Sequence, residues 1–288
     1  MSSVEAFNLL AKLLSYGASL AAIGALSFTV IFRSLLAEHD VAMVRRYGAV
    51  LLAVAAPASL ATLYATVALL NGAGLAGGFD PELWALLAGT AAGDAVWLRL
   101  GGLAVLLAGL LTARLRLPTL FVGGLLVALS FGLVGHVQDE PNSLWLHALL
   151  TLHLAAVAFW IGSLWPMLRI AGAPERARVA VVMQRFGRIA AACVACLLLA
   201  GILLAALLLG GIAPLVTTAY GWVLLAKLAL VVGLLGLAAL NKWRLVPRLA
   251  AGDAGAALRL RRSIAAEIAL VAAILLATAV LTSAVSPP

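Results

Sequence analysis

The chain has 288 residues, 65% of them hydrophobic and 10% charged, with a mean hydropathy of +1.16. An ordinary soluble domain carries about 25% charged residues, and no soluble fold of this length hides so much apolar surface, so the composition implies an integral membrane protein. A net charge of +8 would point a soluble chain toward nucleic acid; in a membrane chain it reads as topology, and membrane lipid rather than nucleic acid is the expected surrounding.

The apolar runs are unbroken and rich in Leu and Ala, unlike the alternating strands of a barrel, so the expected fold is all-α, a polytopic helical bundle. Eight spans are expected near 8–33, 46–70, 83–113, 118–136, 144–168, 187–210, 218–241 and 263–283, within one transmembrane domain covering 1–288. Each run is about the 20 residues a bilayer crossing needs, or longer. The third begins with an interfacial turn around Asp80, Pro81 and Glu82, and Arg114, Arg116 and Pro118 separate it from the fourth. The first run is expected to be retained rather than cleaved, because its first residues carry Glu5 and Lys12 with no positive n-region and the positive charges follow the apolar run.

The charges are lopsided. One set of loops, from Arg33 to Arg262, carries 16 of the 19 Lys and Arg residues, and the opposite loops carry Asp80, Glu82, Asp139 and Glu140. The basic side is expected to be cytoplasmic. Both termini then lie outside, which in a bacterium means the periplasm. The three remaining cations, Lys12, Arg99 and Lys227, lie within or beside spans.

Residues 92–116 (AGDAVWLRLGGLAVLLAGLLTARLR) resemble 220–244 (YGWVLLAKLALVVGLLGLAALNKWR). Gly93 aligns with Gly221 and Arg99 with Lys227; upstream, RRYG at 45–48 resembles QRFG at 184–187, and 17–28 echoes 155–166. Spans one to three therefore resemble spans five to seven as a parallel repeat, with spans four and eight as extra helices.

The chemistry-bearing residues cluster at one end. His39, in the loop EHD, reads as a solvated surface residue. His136 ends the fourth span, His147 opens the fifth on the same side, and His153 lies about 9 Å deeper at the helical rise. The intervening loop VQDEPNS offers Asp139 and Glu140. Imidazole suits copper, zinc and iron, and three histidines on one side favour a metal site over three structural residues. His147 and His153 differ by about 240° in azimuth, so they do not share a face, and His136 with one of them is the simpler pair. Arg99 and Lys227 either snorkel outward or face the bundle interior, where Arg99 would pair with Asp94 or an external carboxylate or set the electrostatics of a pathway. Glu267 is expected to pair with Arg261 or Arg262 at the interface. Cys193 and Cys196 form an i, i+3 thiol pair that could hold Cu(I) as a secondary site. The sequence has no GxxxxGK[ST] loop, HExxH or Ser/His/Asp arrangement, so an ATP-driven pump or metalloprotease is not expected, nor an enzyme of another kind.

The run LHLAAVAFWIGSLWPM (152–167), preceded by VGHVQDE (134–140) and followed by RFGRIA (185–190), TTAYGWVLLAKLALV (217–231), LNKWRLVP (240–247) and LRRSIAAE (260–267), resembles the bacterial copper-resistance membrane protein CopD (PcoD) family. The likeness is best over about 130–288 and rests on AGDAVWLRL (92–100) upstream. It implies an eight-span inner-membrane protein of copper homeostasis that moves copper from periplasm to cytoplasm, with a small periplasmic copper-binding protein as a separate partner. The matching positions are His136, His153, Trp160 and Gly162, with His147 a further match. Copper ion is thus the expected ligand. Two rival readings stand beside it: a redox protein with b-type haem held by His153 and either His136 or His147, and an accessory membrane protein that transports nothing.

Overall fold

The structure is a computed structural model that describes residues 2–112, 117–134, 143–209 and 213–282, with the side chains of 143 and 204–209 left aside. His136, Asp139 and Glu140 lie outside the described residues. The chain forms α1 (Ser3–Ile31), α2 (Glu38–Asn71), α3 (Pro81–Ala88), α4 (Ala91–Leu111), α5 (Leu117–Gly132), α6 (Ser143–Ile170), α7 (Arg176–Leu209), α8 (Pro214–Thr217), α9 (Ala219–Leu240), α10 (Val246–Ala250) and α11 (Ala256–Leu281). No strand occurs among the described residues. Among the described residues, seven helices are long and apolar enough to cross a membrane, and α5 is a shorter apolar helix. The molecule is an all-α, multi-pass membrane bundle.

Local chemistry sets the helix ends. Ser2 caps α1 in a reciprocal box with Glu5, Glu5 N–H donating to Ser2 Oγ (3.2 Å) and Ser2 N–H to Glu5 Oε2 (2.7 Å). Gly72, at φ +77°, ends α2 in a left-handed conformation. The expected third span is divided: Asp80 caps the separate helix α3, receiving the N–H groups of Glu82 (3.0 Å) and Leu83 (3.1 Å). The chain breaks at Gly89–Thr90, and Gly93 lets α4 press against the carbonyls of Leu87 and Ala88, where any Cβ would collide.

Helices also outrun the apolar runs at the basic end. The α2 helix begins at Glu38 and α7 at Arg176, because Val41 and Val44, and Val179, Val182, Met183 and Phe186, recur at helical spacing and are buried. There Arg178 of α7 bridges Asp40 of α2 and Glu175.

The two halves match element by element. Gly93 and Gly221 are each the third residue of their helix, and Gly221 presses on the carbonyls of Pro214 and Leu215 in α8 as Gly93 does on α3. The aligned Gly24 and Gly162 meet at the junction of the halves, each so close to the other helix's backbone that a Cβ would overlap it. The α5 helix packs on α4, and α11 on α9, so the extra helices occupy matching places. One contact differs. Along their lengths α2 packs on α4, whereas the described residues of α7 reach the α9 side chiefly through the turn at Asn241–Leu245 and α10. Among the described residues, α7 and α9 thus pack on one another little away from the basic end.

Candidate functional site: two related cations in unlike surroundings

Arg99 is the ninth residue of α4 and is 2% exposed. It does not snorkel, and it does not pair with Asp94, which is exposed. Its Nε donates to Ser130 Oγ of α5 and its Nη1 to Ser15 Oγ of α1, both at 3.0 Å. Ser15 in turn shares a hydrogen bond with Ser59 of α2 (2.9 Å). The guanidinium also lies over the rings of Phe131 (4.2 Å) and Tyr16 (5.6 Å). Four helices thus converge on one cation, satisfied by hydroxyls and π faces without a carboxylate.

Lys227 is the ninth residue of α9. It is half-buried and makes no hydrogen bond or ion pair among the described residues. Extending the repeat alignment two residues upstream of 17 and 155 places His153 opposite Ser15, the residue that holds Arg99. The structure agrees in placement: Lys227 is close enough to act electrostatically on the His153 ring. His153 Nδ1 is buried with no hydrogen-bond partner among the described residues. A buried imidazole nitrogen left unpaired costs about 1–3 kcal/mol, a cost that a ligand at that nitrogen would remove.

His147 faces elsewhere. Its Nε2 lies 2.9 Å from the Gly132 carbonyl oxygen at the end of α5, and it rests where a Cβ on residue 132 would collide with its ring. Donation to that carbonyl places the proton on Nε2. The described structure therefore turns His147 toward α5 and His153 toward α9, as their azimuths require, and does not bring the two imidazoles together. No group of three or more His, Cys, Asp or Glu able to hold a metal occurs among the described residues. His39 is exposed, its Nε2 3.2 Å from Asp40 Oδ1. Cys193 and Cys196 are free, half-buried thiols of α7, with Cys193 packed against the core cluster that joins α1 and α2 to α6, α7 and α11.

Trp160 is 5% exposed and lies seven residues from His153, on nearly the same face of α6. Its indole N–H neighbours the Glu267 carboxylate of α11 without meeting hydrogen-bond geometry. Glu267 does not pair with Arg261 or Arg262, which are exposed; it is 3% exposed and accepts a hydrogen bond from Asn241 Nδ2 (2.6 Å). Helical spacing carried that signal: residues five and six apart lie on different faces, so the arginines point away from the carboxylate.

The family model described as copper resistance protein D matches residues 180–281, and the one described as copper resistance protein D-like, N-terminal domain, matches residues 1–142. No curated protein and no solved structure matches the chain.

Proposed function

The chain belongs to the copper resistance protein D family, and from that premise we propose that it takes up copper from the periplasm, capturing the ion at His153 in the second half. The family makes it a copper-resistance membrane protein; the route and the residues are the proposal. The observation that carries it is the half-buried His153 imidazole within a span, whose Nδ1 is buried and has no hydrogen-bond partner among the described residues, in a protein whose family handles an ion that imidazole binds well. His136, which adjoins α5 in the chain, supplies a second imidazole in this reading. Asp139 and Glu140 draw the cation in. His147, held to Gly132, orients the helix end. The basic end faces the cytoplasm by the positive-inside rule, which puts the protein in the inner membrane with both termini outside. A small periplasmic copper-binding protein is the donor.

Inward movement of a monovalent cation gains about 2.3 kcal/mol per 100 mV of membrane potential, so uptake proceeds without nucleotide chemistry. Lys227 beside the capture site opposes the build-up of further cations, and His153, Trp160 and Met167 succeed one another along one stripe of α6 toward the basic end. The test is Cu(I) entry into proteoliposomes carrying a trapped copper indicator. Entry should rise with an inside-negative potential and be lost in His153→Ala. Binding without entry in wild type would make the protein an accessory subunit instead.

A further inference from the structure

The cluster around Glu267 is not used by the capture site. It sits in the second half, toward the basic end, where α6, α9 and α11 meet. The α9 helix continues past Leu240 through a π-helical turn, Asn241–Leu245, in which the Val246 N–H bonds to the Asn241 carbonyl five residues back. Pro247 explains the widening: it has no N–H, and its ring would crowd the carbonyl four residues earlier in a regular α-helix. The turn places Asn241 beside Glu267.

Polar atoms here are left over. Asn241 is 9% exposed, yet its Oδ1 has no partner; Ser263, one turn before Glu267, is 8% exposed with Oγ unpartnered; Trp160 Nε1 is unpartnered as well. Among the described residues no cation pairs with the carboxylate, and the groups that act on it are Asn241 and Trp160. Charged residues on the surrounding elements are directed elsewhere. Lys12 of α1 donates to the Thr282 carbonyl at the far end of α11 (3.0 Å). Lys227 lies four turns up α9. Lys242 runs along α7 at Gly187, and Arg244 and Arg248 are exposed. Arg169 of α6 lies over Trp165 (5.8 Å), and His153 is about 10 Å up the helix.

The donor set decides the ligand. Soft Cu(I) favours sulfur and nitrogen, and a hard divalent ion needs about six oxygens; one carboxylate, one amide and one hydroxyl satisfy neither. They do satisfy a carboxyl group in both of its forms. For the ionised form, Asn241 Nδ2, Ser263 O–H and Trp160 N–H are donors. For the neutral form, Asn241 Oδ1 or Ser263 Oγ accepts the new O–H. We propose that Glu267, with Asn241, Ser263 and Trp160, is an intramembrane proton-binding site that exchanges one proton with water at the basic end, toward which Asn241 lies, two residues from exposed Trp243.

The test needs no copper, so its outcome is separate from that of the capture site. Infrared difference spectra of the purified full chain are recorded across pH in H2O and D2O for wild type and Glu267→Gln. The expected result is a protonated-carboxyl C=O band that grows on acidification, shifts in D2O and is missing from the variant. Should Glu267→Gln fail to fold, Trp160→Phe must move the same band. A spectrum with no band attributable to Glu267 at any pH at which the protein stays folded overturns the proposal. So does a band that neither titrates nor shifts in D2O, which marks a sealed structural acid.

Discussion

Arg99 and Lys227 hold the same place in two halves of one bundle, and their surroundings differ in kind. In the first half two serines bond the cation, a third serine backs one of them, and two aromatic rings cover its faces. In the second half the serine's counterpart is His153, and among the described residues neither its Nδ1 nor the cation has a hydrogen-bond partner. Burial follows the same division. Nine of the 21 residues of α4 are buried within the protein, against two of the 22 in α9, Gly221 and Leu234. A closed polar network fixes helices to one another; an open one leaves donors and acceptors for something that arrives. The Arg99 network reads as scaffold and the surroundings of Lys227 as the working side; among the described residues, Asn8 and Ser19 leave unpaired buried atoms in the first half, and His153, Trp160, Asn241 and Ser263 do so in the second.

Substitutions break this comparison in graded steps. The largest effect is expected at the junction on which both halves depend. Gly24→Leu drives a side chain into the backbone of α6 and should cost about 3 kcal/mol, read as a lowered Tm in detergent, while Gly101→Leu, which meets open space, should leave Tm unchanged. Next comes the contrast between the cations. Arg99→Ala removes two buried hydrogen bonds of a charged donor and should cost about 2 kcal/mol; Lys227→Ala should stay within about 0.5 kcal/mol. Equal losses in the two would erase the distinction between scaffold and working side. His147→Ala, deleting the bond to Gly132, should cost about 1 kcal/mol with copper affinity reduced far less than in His153→Ala.

The smallest effect lies outside the membrane. The Leu83 N–H, with the Asn71 amide and the Glu82 N–H, holds the Asp80 carboxyl below the usual carboxylate range. Its folded-state value is thus the lower one, and its contribution is complete above the unfolded value of about 3.9. It fades as pH falls through the folded value. Amide exchange at Glu82 and Leu83 should speed up only in that acidic window, and Asp80→Asn should flatten the pH response.

Hydropathy made the bundle legible because each crossing must satisfy its backbone internally and show lipid an apolar surface. It located lipid-facing lengths rather than helices, which is why α2 and α7 begin earlier than the apolar runs, on amphipathic turns that bury only one face. The break at Gly89–Thr90 was masked by apolar residues on both sides. The partners of Arg99 were not legible, since Ser15 and Ser130 are 84 and 31 residues away in sequence and serine carries no hydropathy signal. The pairing of Ser15 with His153 was within reach of the repeat, two residues beyond the aligned stretch. So was the isolation of Glu267, from its spacing to the arginines. The environment supplied by Asn241 was not, because it depends on the π turn at Pro247.

The most direct test is a Cu(I) competition titration of the purified protein, comparing wild type with the repeat-related variants His153→Ala and Ser15→Ala. Stoichiometric binding that is lost in His153→Ala and kept in Ser15→Ala is the predicted result. Equal affinity in all three would contradict the account, leaving the second half no more a metal site than the first.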